Sequence, residues 1–181
     1  EHCVAAQGVD SVWISSDSEE ILEVGQVFGA RPILRPDEFA ADTATSESAW
    51  LHALGVIEEV EGSLDLVVAP QVTSPLREPV DIERGLALFA ENQYDSLFSC
   101  SPADDLCLWQ QAPGGQPESI SYDWRNRKRR QENATQYIEN GSFYLFTPHV
   151  LRTYNNRFGE RLGMVVMEFW KTFEIDSNEM L

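Results

Sequence analysis

At 181 residues the chain has the length of one ordinary domain, enough to bury a real core. Hydrophobic residues make up 43% and charged residues 24%, with no apolar run long enough to span a bilayer, so the composition is that of a soluble globular protein. Against 13 basic residues stand 30 acidic ones, and the formal charge of −17 repels phosphate backbones and anionic lipid alike, which sets aside nucleic acid and membrane surfaces as partners.

Residues 1–8 read as the tail of a helix stopped by Gly8, and residues 9–15 (VDSVWIS) as a strand. Asp17 offers an N-cap with Glu20 at the third helical position, and Ile21, Val24 and Phe28 recur at helical spacing before Gly29. Arg31 to Leu34 is a short second strand. Arg35-Pro36 opens a loop that ends at Thr45 or Ser46, either of which can cap a helix with Ala49, Ala53, Val56, Ile57 and Val60 on one face.

Leu64 to Ala69 reads as a buried strand, and the segment after it, Pro70-Gln71-Val72-Thr73-Ser74-Pro75-Leu76-Arg77, is too rich in turn formers to continue a ladder. In an open α/β sheet such an edge is where ligands bind, although an ordinary strand-to-helix loop has the same look. A helix opens at Pro79 with Ile82, Leu86 and Phe89 inward, and Ser96 to Cys100 is another strand. The alternation of strand and helix predicts an α/β fold of three layers, with a mostly parallel sheet and helices on both faces.

The rhythm breaks from about Pro102 to Gln136, where Pro113-Gly114-Gly115 marks a turn in an irregular insertion. Regularity returns with a strand at Ser142 to Phe146, a helix from Thr147 to about Tyr154, and strands at Met164 to Phe169 and Thr172 to Ile175. Residues 176–181 would begin a further helix. The cysteines, Cys3, Cys100 and Cys107, are odd in number and form no CxxC pair, which suits reduced thiols of a cytosolic protein. The sequons at Asn133 and Asn140 are then chance matches.

Two groups of residues invite chemistry. Arg125 to Arg130 gathers five cations in an acidic chain, which suggests an anion is met there, the alternative being a solvated loop paired with nearby acids. Glu174 and Asp176 lie two apart on a predicted strand, so both carboxylates share a face and suit Mg²⁺ when substrate phosphates supply its other ligands. In so acidic a chain a chance pair is the alternative.

Taken together, PQVTSPLR, the loop from Arg35-Pro36 to Asp42-Thr43-Ala44-Thr45-Ser46, RRQENATQYIENGSFY and TFEID fall at spacings that resemble the acylneuraminate cytidylyltransferases, which activate sialic acid and related nine-carbon sugar acids as CMP conjugates. The resemblance implies a Rossmann-like nucleotidyltransferase domain spanning residues 1–181, with CTP and a sugar acid as substrates. It places Arg35, Ala44 and Ser46 on the nucleotide, and Gln71, Arg130, Asn140 and Tyr144 on the sugar acid. It makes Asp176 and Glu174 the Mg²⁺ ligands, with Arg130 and Asp176 the groups closest to catalysis. A guanidinium fork at Arg130 fits a carboxylate-bearing sugar, while Tyr144 in an apolar strand has a plain core reading beside this one. The insertion at 102–137 resembles the family's dimerisation arm and implies a homodimer.

The chain also departs from the family. Glu174 stands where an aspartate is usual. The stretch Asp104-Asp105-Leu106-Cys107-Leu108-Trp109 lacks a lysine that some members carry, which leaves a relative such as legionaminate as an alternative sugar. The family's opening strand and RxGSKxxPxKN-type phosphate loop are not present; the sequence starts at Glu1 without methionine and is short at its N-terminus relative to the family. A chain folding without that strand is expected to leave a gap between the VWIS and LDLVVA strands and to turn over little or not at all, which makes a non-catalytic binding remnant the second reading. A longer parent would be active. A nicotinamide dehydrogenase is disfavoured, because no GxGxxG fingerprint is present.

Overall fold

The computed structural model describes residues 1–41, 43–103, 106–132 and 134–177, except the side chain of Arg130. The elements run α1 (His2–Ala5), β1 (Trp13–Ser16), α2 (Glu19–Val27), β2 (Arg31–Leu34), α3 (Ser46–Glu61), β3 (Val67–Pro70) and α4 (Pro79–Asn92). They continue with β4 (Ser96–Pro102), β5 (Trp109–Gln111), β6 (Pro117–Ser119), β7 (Tyr137–Phe146), α5 (Pro148–Tyr154) and β8 (Leu162–Val166).

The central sheet has the order β3-β7-β4-β8, with β7 antiparallel to both neighbours and β4 parallel to β8. The sheet is therefore mixed, not mostly parallel as expected. The reason lies in the excursion at 103–136: it leaves the carboxyl end of β4 and re-enters at that same end, so the next strand must run the other way. The excursion carries the small antiparallel hairpin β5-β6.

Alternation along β7 sorts the core onto two faces. Phe143 and Leu145 pack with Ile82 of α4, Leu97, Val165 and the N-terminal Ala6, whereas Tyr144 and Phe146 pack with Leu54 of α3 and with Val150 and Leu151 of α5. Helices thus cover both sides of the central sheet, the three layers expected. Gly85 lets α4 lie close: a Cβ there would sit 2.9 Å from the Phe143 ring.

β1 and β2 pair in parallel as a separate ladder, and no ladder joins them to β3 among the described residues. The gap expected between the VWIS and LDLVVA strands is present. α2 lies against this pair, capped by Ser18, whose Oγ accepts from the Ile21 N–H, not by the expected Asp17. The inward face of α3 also differs from expectation. Ala49 and Leu54 are buried with Trp50 and Leu51 beside them, and Val60 is exposed.

At the C-terminal end the expected strand at Thr172 to Ile175 is not formed, and β8 stops at Val166. A 3₁₀ turn, Phe169–Thr172, follows, because the Lys171 ammonium is drawn inward by carboxylates while Phe169 and Trp170 stay exposed. The helix expected to start at residue 176 falls largely on residues 178–181, outside the described residues.

Cys100 is fully buried on β4, and burial pushes its thiol up to about 11 from an ordinary value of 9.0. The unfolded chain ionises this thiol first, so ionisation favours unfolding and stability falls as pH rises from 9.0 towards about 11. Urea midpoints taken across that window are expected to fall, and Cys100→Ala is expected to lose the part of the fall that the thiol causes.

Candidate active site

The pivot of the carboxyl end of the central sheet is an irregularity in β7. The register runs Phe98↔Tyr144 and then Cys100↔Glu139, so residues 140–143 stand opposite Ser99 alone. Ser99 fills the gap: its Oγ donates to Asn140 Oδ1 at 2.6 Å and accepts from the Phe143 N–H at 3.0 Å. Asn140 is buried, its Oδ1 also accepting from the Ser142 N–H at 3.2 Å and its Nδ2 donating to Ser101 Oγ at 3.0 Å. With its amide engaged inside the protein, Asn140 stands behind the site and shapes the backbone in front of it.

That backbone is Gly141, at φ +63° in the left-handed region. A Cβ there would lie inside contact distance of Glu174 Oε1 and 2.6 Å from Gln71 Oε1. The lack of a side chain therefore lets a carboxamide from one loop and a carboxylate from another reach one small volume.

Gln71 comes from the loop after β3, which Arg77 organises. The Arg77 guanidinium donates to the carbonyls of Gln71 (2.7 Å), Ser74 (2.6 Å) and Ser142 (3.0 Å). A turn-rich loop has carbonyls with no ladder partner, and one fixed fork satisfies two of them, Gln71 and Ser74, while also reaching the Ser142 carbonyl of β7. Burial holds the guanidinium below its ordinary value, with Cys3 nearby acting in the opposite direction. Arg77 is a functional residue without an expected role, and the signal for it in the sequence is a guanidinium placed directly after a run of turn formers.

Glu174 arrives from the other side, on a strap that follows β8. The Ile175 N–H donates to the Thr73 carbonyl at 2.8 Å, and Ser74 Oγ donates to Glu174 Oε1 at 3.2 Å. Asp176 is the next residue and is exposed. The structure thus joins Gln71, Asn140 and Glu174 around Gly141, with Asp176 one residue beyond the Ile175 contact.

Other expected residues lie elsewhere. Arg35 sits at the carboxyl end of β2, where its Nε donates to Ser15 Oγ at 3.1 Å and its guanidinium to the Ser15 carbonyl at 2.5 Å. It borders a depression of about 430 Å³ lined also by Asp17, Glu19, Leu34, Pro36 and Asp37. Ala44 closes a turn through its N–H to the Ala41 carbonyl at 2.8 Å. Ser46 is the first residue of α3, capped by Thr45, whose Oγ1 accepts from the Ser48 N–H at 3.1 Å. Asp42 of the same loop lies outside the described residues.

Tyr144 is buried with its hydroxyl donating to Glu139, and Arg157 lies over its ring at 4.5 Å. Burial, then the Glu139 carboxylate, push its phenol well above the ordinary value. The Arg130 side chain lies outside what the structure describes. Of its neighbours, Arg129 pairs with Glu132 at 3.2 Å, and Arg125 and Arg127 lie over the rings of Trp124 and Tyr122.

An α/β sheet with turn-rich segments gathered at the carboxyl ends of β3, β4 and β8 is the plan of a nucleotide-binding α/β protein. The chain belongs to the cytidylyltransferase family, whose sequence model matches residues 1–174. An N-acylneuraminate cytidylyltransferase of Oncorhynchus mykiss is 29% identical over 147 residues, 80% of this chain and 33% of that protein. The post-translational flagellin modification protein B of Campylobacter coli is 27% identical over 166 residues, 91% of this chain and 71% of that protein. A pseudaminic acid cytidylyltransferase of Campylobacter jejuni is 26% identical over 140 residues, 76% of this chain and 60% of that protein. The chain thus spans about a third of the length of the Oncorhynchus relative.

Among solved structures, CMP:2-keto-3-deoxy-manno-octonic acid synthetase complexed with CTP shares the fold, with a TM-score of 0.63 at 16% identity over 92% of this chain and 76% of that one. The 4-diphosphocytidyl-2C-methyl-D-erythritol synthase of Anaerococcus prevotii shares it too, with a TM-score of 0.63 at 10% identity over 98% of this chain and 78% of that one.

Substituting Gly141→Ala forces a side chain onto a left-handed residue and into the space that Gln71 and Glu174 share. The expected cost is about 1–3 kcal/mol in urea unfolding. Wild-type stability in this variant would show that the two side chains do not meet over Gly141.

Proposed function

We propose that the protein carrying this chain transfers the cytidylyl group of CTP to the anomeric hydroxyl of a nine-carbon sugar acid, an N-acylneuraminate or a relative such as legionaminate or pseudaminate. The observation that carries the reading is the meeting of Gln71 and Glu174 over Gly141, at the carboxyl end of the central sheet, in a chain of the cytidylyltransferase family. The hydroxyl oxygen bonds to the α-phosphorus of CTP in line, the bond to the β-phosphate oxygen breaks, pyrophosphate leaves and the hydroxyl proton is lost. Such a step asks the protein mainly for positioning and charge neutralisation.

In this reading Gln71 offers a carboxamide donor and acceptor to sugar hydroxyls, and Arg130 meets the sugar carboxylate. Asn140 acts through Gly141, and Tyr144 forms the wall behind them. Arg35, Ala44 and Ser46 take the cytidine. The depression beside Arg35 carries three carboxylates, which suits base and ribose better than phosphate.

Glu174 and Asp176 fit a Mg²⁺ ion in donor chemistry, since both are hard oxygen donors. Among the described residues no group of three or more His, Cys, Asp or Glu could hold an ion, and Mg²⁺ needs only one or two carboxylates when phosphates supply the rest. Bound there, the ion would neutralise charge on the phosphates. The arm at 102–137 supports a homodimer, because it exposes Leu108, Trp109, Ile120 and Trp124. No helix among the described residues is long and apolar enough to cross a membrane, and Cys3, Cys100 and Cys107 are all free thiols, which agrees with a cytoplasmic setting.

A second reading, binding without turnover, is favoured by the gap between β1-β2 and β3, since Arg35 and Gln71 stand on different ladders. Pyrophosphate release from CTP, Mg²⁺ and a panel of eight- and nine-carbon sugar acids separates the two. Release that depends on a nine-carbon acid is expected. Calorimetric CTP binding with no release for any acid would establish the second reading, and no binding at millimolar CTP would end both. Asp176→Asn is expected to abolish Mg²⁺-dependent release, and unchanged turnover would remove that carboxylate from the site.

A further inference from the structure

We propose that Lys171 is a positioning residue, a buried tether that fixes the strap carrying Glu174 and Asp176 against the loop carrying Gln71. The inference rests on the reading of those carboxylates as the cation-holding pair. The strap has a difficult course. It leaves β8 at one edge of the central sheet and must cross the ends of β4 and β7 to reach the loop after β3.

Its first fixings are the Met167 side chain, buried in the core with Leu97 and Phe143, the Met167 N–H to the Cys100 carbonyl at 2.7 Å, and Ser101 Oγ donating to the Glu168 carbonyl at 3.4 Å. Beyond them Phe169, Trp170 and Phe173 all turn outward and remain about half exposed. No apolar side chain among these three anchors the crossing. Lys171 alone in the turn is buried, at 1% exposure.

Its ammonium meets Asp81 and Glu78 at 2.7 Å each and Glu168 at 3.2 Å. Burial alone would lower the pKa of this amine, but the three carboxylates outweigh it and hold the amine above its ordinary value. Asp81 is as buried as the lysine and accepts the Glu78 N–H at 2.9 Å in a capping box at the start of α4. That start is the post from which the 71–77 loop hangs. One ammonium therefore ties the strap to the same fixed point as the Gln71 loop, and the two carboxylates follow within five residues.

Hydrogen exchange and metal uptake test this directly. The variants are Lys171→Met and the double variant Lys171→Met/Asp81→Asn, which removes the partner charge that the single change would leave buried. If Lys171 is the tether, the Ile175 amide exchanges about tenfold faster or more in both, while the core amides of Leu97 and Leu145 keep their protection. Mn²⁺ binding followed by electron paramagnetic resonance in the presence of CTP should weaken severalfold in parallel.

Unchanged Ile175 protection in the double variant would overturn the proposal. Equal acceleration at Ile175, Leu97 and Leu145 would do so too, because it would make Lys171 a general stability residue. Should the wild-type chain take up no Mn²⁺, the cation-pair reading falls, and the tether stands or falls on the exchange data alone.

Discussion

The arrangement depends on what happens opposite Ser99. A regular antiparallel pairing of β7 with β4 would keep the backbone flat and send alternate side chains up and down past the sheet end. Instead, residues 140–143 crowd against one residue, and the hydroxyl of Ser99 with the carboxamide of Asn140 replaces the missing ladder bonds. A buried polar cluster of this kind is favourable only when its members are satisfied, because an unpaired amide there would cost about 1–3 kcal/mol. With Ser99, Asn140 and Ser101 paired, and the buried Ser142 hydroxyl left without a partner among the described residues, the cluster sets a glycine in the left-handed conformation facing two loops. The sheet thereby leaves open the space that Gln71 and Glu174 both reach.

The two loops are held by different physics from the core beneath them. Below, Phe143, Leu145, Ile82 and Leu97 supply apolar burial. Above, a turn-rich loop and a strap with outward-facing aromatics have little apolar surface to bury, so ionic groups fix them. Arg77 satisfies carbonyls within its own loop, and Lys171 gathers carboxylates from α4 and the strap. Ionic fixings are directional, and direction is what a site needs.

Much of this was readable in the sequence where the signal is local. Proline at the start of α4 and the apolar run of β4 are short-range patterns, and α4, α5 and β4 form close to where they were expected, whereas β3, expected over Leu64–Ala69, forms over Val67–Pro70. The direction of β7 was not legible, because it depends on which end of the sheet the 103–136 excursion returns to. The absent strand at Thr172 to Ile175 has a similar cause: Phe173 and Ile175 alternate as in a strand, but a charge partner ninety residues away pulls Lys171 in and bends the chain. At the site, the segments around Gln71 and Glu174 were legible through family resemblance. The supporting place of Asn140 was not, since only its neighbours across the sheet, Ser99 and Ser101, reveal that its amide is already in use.

The charge distribution carries the argument one step further. On the reading proposed above, a strongly acidic chain would meet a nucleoside triphosphate and a sugar carboxylate, and it would need positive charge at hand. Within the body of the fold the cations are largely engaged. Arg35 serves Ser15, Arg77 serves loop carbonyls, Arg84 and Lys171 serve Asp81, and Arg157 pairs with Glu47. The basic residues concentrated elsewhere are those of 125–130, and they lie on the arm, two of them, Arg125 and Arg127, over aromatic rings. On that same reading, positive charge for the substrates would come from that arm or from a divalent ion held by carboxylates at the sheet end, and the acidity that looks unsuited to phosphate would then be the means of holding such an ion.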